Sequence, residues 1–204
     1  MPAPWNTELD YSPLKDSQIL IVGGGSNCGR FATQLASLAG FGTIIVVGGQ
    51  EEELKTFGAT HIIDRHGGQY VIVQQIRDVA GDELMYAFDA INGPPNHHLA
   101  INALSSSKRG KLARIVHSRG VLDESSIHPK KAGYELKNIS GISSLKPGVA
   151  IPFWKNVERY LVQGDIRPSK YAIHRGLDAQ AVNEVLDRYR DGKVVAQTHF
   201  HISE

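Results

Sequence analysis

The amino-acid sequence predicts an α/β protein: a doubly wound parallel sheet of about six strands with helices on both faces. Three observations predict it. The apolar run Ile19 to Val22 leads straight into Gly23, Gly24 and Gly25, and a further glycine, Gly29, falls where an amphipathic segment begins. That is the order strand, tight turn, helix start. Short β-branched or apolar runs then alternate with segments of helical periodicity, the pattern of a parallel sheet joined by helical crossovers. Glycines close most of the helical segments, as left-handed caps do. Right-handed crossovers make such a sheet wind in two directions from its middle, with ligands held beyond the carboxyl ends of the strands.

Each element follows from local chemistry. Residues Met1 to Ser17 carry Pro2, Pro4 and Pro13 among polar groups and read as an extended lead-in. After the first strand and turn, Phe31, Leu35, Leu38 and Ala39 repeat at helical spacing until Gly40. Thr43 to Val47 is a β-branched strand buried on both faces, ended by Gly48 and Gly49. Glu51, Glu52 and Glu53 open a short helix, where acids suit the N-terminal dipole, and Gly58 closes it. His61 to Ile63 is a third strand, and Tyr70 to Ala80 a helix with Ile72, Val73, Ile76 and Val79 on one face. Leu84 to Phe88, Lys111 to Val116 and Leu136 to Ile142 are the remaining strands, with a short helix from His98 to Leu104. The tail differs. Pro152 to Val162 and Val182 to Tyr189 are amphipathic helices, and the last residues alternate. Val194, Ala196, Thr198, Phe200 and Ile202 fall on one side, Val195, Gln197, His199 and His201 on the other. That strand has one apolar face and no evident partner in the predicted sheet.

Composition narrows the function. With 41% hydrophobic residues in 204, the chain can bury one large core. Its 22 basic and 21 acidic residues give no global charge for holding nucleic acid or an anionic membrane. No apolar run approaches the ~20 residues of a membrane span, and the N-terminus lacks a signal-peptide pattern. The single cysteine, Cys28, excludes an internal disulfide framework and a multi-cysteine zinc site, and fits a reducing, cytoplasmic setting.

The glycine turn is the strongest chemical signal. Glycines allow a backbone to approach a pyrophosphate closely, and that charge then rests on the N–H groups at the helix start. Counted back from Gly29, the motif reads G-G-S-N-C-G, with Ser26 where the middle glycine of G-x-G-x-x-G would stand.

Taken in order, ILIVGGGSNCGRFATQLASLAG, GTIIVVGG, LKTFGATHIID, MYAFDAING and GKLARIV resemble the cofactor-binding domain of medium-chain dehydrogenases and reductases. The fungal zinc-binding-dehydrogenase-like and enoyl-reductase-like branch, akin to quinone reductases, is the nearest in flavour. The resemblance runs over about residues 18 to 204, because GLDAQAVNEVLDRYRDGKVV is similar to the family's C-terminus. It implies a Rossmann-type dinucleotide-binding domain over 18–175. It also implies that 176–204 is a helix and strand which in the family return to a catalytic domain. Family members share ~150 residues of GroES-like catalytic domain ahead of the turn, whereas here the lead-in 1–17 stands there. The expectation is a truncated or remodelled member supplying the cofactor half of a quinone or enoyl reductase-like reaction, hydride transfer from NADPH to a C=C or C=O. A non-catalytic NADPH-binding sensor or partner protein is the alternative.

The resemblance puts Gly24, Gly25, Ser26, Asn27, Cys28 and Gly29 under the pyrophosphate. Cys28 is either a thiol activated by the helix dipole or a small apolar residue in a position the family fills with valine. Gly48 falls where an NAD-dependent enzyme would place its ribose-binding acid, so NADP(H) is expected in preference to NAD(H), given a nearby cation. Arg65 is the first candidate and Lys55 the second; Arg65 is otherwise a solvated loop residue. Glu51 to Glu53 either cap their helix or repel the phosphate. Asp89, Ala90 and Asn92 are expected along the ribose and nicotinamide, although Asp89 could bond only to loop amides. Val116 and His117 take the corresponding place after the fifth strand, with His117 a candidate proton donor or an exposed loop residue. No metal site is expected: His199 and His201 share a strand face but lack a third ligand. The family often dimerises along its sixth-strand edge, which implies a possible homodimer.

Overall fold

The computed structural model describes residues 14–91, 98–115, 124–193 and 195–202. The chain divides into two compact units, Met1–Ile166 and Arg167–Glu204. In the first unit the strands are β1 (Gln18–Val22), β2 (Thr43–Val47), β3 (His61–Ile63), β4 (Tyr86–Asp89), β5 (Gly110–Arg114) and β6 (Tyr134–Asn138). Its helices are α1 (Asn27–Leu38), α2 (Glu51–Thr56), α3 (Gln69–Ala80), α4 (Leu99–Ala103) and α5 (Pro147–Gln163).

All six strands pair in parallel in the order β3-β2-β1-β4-β5-β6. The chain winds outward from β1 to β3, then crosses back to lay β4 on the other side of β1, so the switch point lies between β1 and β4. Alternate side chains of the central strands feed two separate cores. Leu20, Val22, Ile45 and Val47 pack with Ile72, Val73 and Ile76 of α3 and the apolar residues of α4. Ile21, Ile44 and Val46 pack with Ala36 of α1 and Leu54 of α2. Both faces are therefore covered by helices, as the near-continuous apolar strands require.

The sixth strand spans Tyr134–Asn138, earlier than the run from Leu136 to Ile142 expected from sequence; Ser143–Leu145 is instead a 3-10 turn leading into α5. The crossover before β6 is equally irregular: the described part, from Glu124, holds only the 3-10 turn Glu124–Ser126 before the strand. Asn102 of α4 fastens it, donating from Nδ2 to the Ser126 carbonyl (3.0 Å) and accepting from the His128 amide at Oδ1 (2.8 Å).

The second unit is β7 (Tyr171–Arg175), α6 (Ala179–Arg190) and β8 (Gln197–His201). Asp178 caps α6, accepting from the amides of Gln180 and Ala181. The partner missing from the sequence reading of the last strand is β7, which pairs with β8 in parallel. As the alternation predicts, Thr198 and Phe200 are half-buried while Gln197, His199 and His201 are exposed. Tyr171 stacks on His199 with ring centroids 4.5 Å apart.

Candidate functional site

Register brings the strand ends into one line. Val22 of β1 lies between Val47 of β2 and Asp89 of β4, and Asp89 is followed by Arg114 of β5 and Asn138 of β6. The loops leaving this line carry the residues expected from sequence to form a site.

The first is the glycine turn. The amides of Gly23 and Gly24 donate to the Val47 carbonyl at 3.0 and 3.1 Å, tying the turn to the end of β2. A Cβ on Gly24 would meet Val46 Cγ1 at 2.3 Å and the Gly48 carbonyl oxygen at 2.5 Å, and one on Gly29 would meet the Gly23 oxygen at 2.1 Å. These two positions admit only glycine because backbone packs on backbone there. Gly49, at φ 102°, has the same role opposite: a Cβ would meet Gly24 C and Gly25 N at 2.9 Å. Sequence reasoning passed over Gly49 as part of a strand stop. Gly25 is exposed at the rim.

Ser26 is more than a substitute for the motif's middle glycine. It is the N-cap of α1: its hydroxyl donates to the Gly23 carbonyl (2.8 Å) and accepts from the Gly29 amide (3.0 Å). A glycine could do neither. Asn27 and Cys28 occupy the exposed first turn of α1, so Cys28 packs against no core.

The second loop follows β2. Gly48, at φ 74°, presents no side chain, and the aliphatic stem of Arg65 lies across it, 3.5 Å from where a Cβ would stand. The Gly48 amide donates to the Ile63 carbonyl (2.9 Å), which sets the distance between these loops. Arg65 is the first candidate cation named from sequence for this place, and the structure brings its stem onto Gly48. Beside Arg65, Asp64 Oδ1 accepts from the His66 amide (3.1 Å) and pairs with His66 Nδ1 (2.7 Å). Those bonds hold the exposed Asp64 carboxyl below its ordinary value.

Two of the three acids after Gly48 are engaged. Glu53 pairs with Arg30 of α1 at 3.0 Å and Glu51 with Lys55 at 2.5 Å. Lys55 is thus paired with its own helix, whereas the Arg65 stem lies against Gly48.

The third loop follows β4. Asp89 is 1% exposed, and its Oδ1 accepts from the Ile91 amide at 3.1 Å, so it does bond to its own loop. The Ala90 amide donates to the Val22 carbonyl (3.0 Å), and Ile91 folds over Gly23, where a Cβ would meet Ile91 Cγ2 at 2.6 Å. The loops after β1 and β4 therefore close on each other at the switch point. Asn92, Val116 and His117 lie outside the described residues.

Sequence reasoning also missed Arg114, which is 6% exposed on the same line as Asp89 and donates from Nε to Asn138 Oδ1 at 2.6 Å. The available signal was a charged residue inside the apolar run KLARIV.

A switch-point crevice rimmed by glycines without room for a Cβ, at the start of a helix, defines a dinucleotide-binding α/β domain. Comparison with known proteins makes the class specific. Residues 28–148 match the family model described as zinc-binding dehydrogenase, and the chain belongs to that family. It is 27% identical over 199 residues to a zinc-type alcohol dehydrogenase-like protein of Schizosaccharomyces pombe, spanning 92% of this chain and 56% of the relative. It is 28% identical over 196 residues to the dehydrogenase orsE of Emericella nidulans, spanning 90% and 52%. The chain thus spans about half the length of the curated relatives it matches. Among solved structures, the CurK enoyl reductase superposes with a TM-score of 0.65 at 16% identity, over 92% of this chain and 55% of that one. CurA of Vibrio vulnificus in complex with NADPH gives 0.64 at 15%, over 92% and 57%. The fold is that of the cofactor-binding domain of medium-chain oxidoreductases.

The family's name carries zinc, but among the described residues no three histidine, cysteine or acidic side chains gather where a metal could be held. Nor is any described helix long and apolar enough to cross a membrane.

Proposed function

We propose that this chain binds NADP(H) across its switch-point crevice and serves an oxidoreductase of the quinone or enoyl reductase type. The observation that carries the cofactor choice is Gly48 with the stem of Arg65 across it: the end of β2 has no carboxylate to repel a 2'-phosphate, and an arginine side chain starts from beside the gap. The pairing of Glu51 and Glu53 with their own cations supports the same reading, since it lowers the negative charge facing that place. Gly24, Gly25, Ser26, Asn27, Cys28 and Gly29 hold the pyrophosphate through the start of α1. Asp89, by bonding to the Ile91 amide, shapes the loop against which the second ribose rests, with Ala90 and Asn92 beside it, and Val116 and His117 flank the nicotinamide. NADPH, when bound, supplies a hydride for a polarised C=C or C=O.

Titration of NADPH and NADH into the protein tests this. Arg65→Ala is expected to weaken NADPH about tenfold, the worth of one charge-assisted contact, and to leave NADH unchanged. Equal NADPH affinities for the two proteins would remove Arg65 from the site. We further propose that two copies pair along the open edge of β6, a reading that sedimentation at two concentrations checks.

A further inference from the structure

The amino-terminal edge of the sheet carries a charged cluster remote from the crevice. Arg77, in the last turn of α3, donates from Nη2 to the carbonyls of Asn102 and Leu104, each at 3.0 Å. Lys130, on the crossover before β6, donates from Nζ to the same two oxygens, 3.1 Å to Asn102 and closer to Leu104. Helix ends leave such carbonyls unmatched, and cations are their natural partners. Here two cations share one pair.

The anion nearby does not offset both. Asp82, in the turn after α3, accepts from the amides of Ser106 (2.7 Å) and Ser107 (3.0 Å) and reaches Arg77 Nη1 only at 3.4 Å. Arg77 and Asp82 are the charged groups that act on Lys130 from the elements packed against it. A guanidinium does not give up its proton in proteins, whereas an ammonium does. Of the two cations, Lys130 is therefore the one that can shed its charge. Burial first, and Arg77 second, lower its ammonium from 10.5 to about 8, against the opposing pull of Asp82. Once neutral, the nitrogen keeps two N–H groups for the two carbonyls and gains a lone pair.

We propose that Lys130 is an acylation site, the lysine of this chain that reacts first with an activated acyl donor. The lone pair of Nζ attacks the acyl carbon, the new N–C bond displaces a carboxylate from an anhydride or a thiolate from a thioester, and the departing amine proton goes to solvent. Lys131, the next residue, is exposed and serves as an internal control.

The test is limiting acetic anhydride on the native protein at a series of pH values, with acetylation of each lysine followed by peptide mass spectrometry. At pH 8 Lys130 is expected to react at least about tenfold faster than Lys131. Its rate is expected to level off above about pH 8. Arg77→Gln should shrink the ratio. Should that variant fail to fold, the parent in urea serves instead, where the ratio should fall to about one as both amines meet solvent. A native ratio of one or below overturns the proposal, and so does a high ratio that persists in urea, because that preference would belong to the local sequence.

Discussion

The two units of this chain are both made of parallel strands joined by helices, yet only one has an interior. Every buried side chain among the described residues belongs to the first unit, from Leu20 to Ile166. In the second, all five residues of β7 are exposed, and Tyr171, Ile173, Leu186 and Tyr189 each leave more than half of their surface to solvent. Hydrogen bonds to a neighbouring strand contribute little net stability when water competes for the same groups, whereas apolar burial contributes roughly 25 cal/mol per Å². A strand pair can thus form its ladder of hydrogen bonds while burying almost no apolar surface.

The comparison can be broken most severely in the first unit. Gly29→Val drives a side chain into the Gly23 carbonyl, 2.1 Å from its Cβ, and is expected to cost about 3 kcal/mol or more and to abolish dinucleotide binding. Thermal unfolding and an NADPH titration read both effects. Next come paired truncations. Ile76→Ala, in the fully buried core, should cost about 2–5 kcal/mol in a denaturant titration, while Ile173→Ala on the exposed strand should stay within about 0.5 kcal/mol. Similar losses at both positions would show that β7 is covered in solution and would erase the contrast.

A smaller effect is expected at the amino edge. The Asp82 carboxyl is held well below its ordinary 3.8, chiefly by Ser107 and then by the Ser106 amide. A depressed carboxyl adds stability above its unfolded value and loses it as pH falls toward the folded one. Acidification below pH 4 should therefore destabilise the parent more steeply than Asp82→Asn, which at neutral pH should cost about 1 kcal/mol because the group is partly exposed. Helix caps give the finest contrast. Ser26→Ala and Asp178→Ala each remove a cap worth about 1 kcal/mol. The first should shift the global unfolding midpoint, and the second should only raise amide exchange in the first turn of α6.

What was legible in the sequence follows the same division. Strands buried on two faces announce themselves as apolar runs, so β1 and β2 could be placed nearly to the residue, and the glycine turn with them. Tyr134–Asn138 carries a glutamate and a lysine on an open edge, so its apolar signal came late and the strand was expected too far along. Tyr171–Arg175 gave no signal because it buries nothing. At the site, Arg65 was named from sequence as the cation for Gly48, and β2 and β3 ending side by side is what brings the two together. The engagement of Glu53 by Arg30 depends on the packing of two helices. That ion pair is not encoded in any spacing along the chain.

The hydroxyl of Ser26, bonded to both ends of the turn, also bears on how a ligand would arrive. Fixing a mobile loop on association typically takes about 0.5–1.5 kcal/mol for each side chain immobilised. Here the rim is already stapled by a residue of its own, so that entropy is spent during folding, and an incoming anion meets a receptor whose shape is set before the encounter.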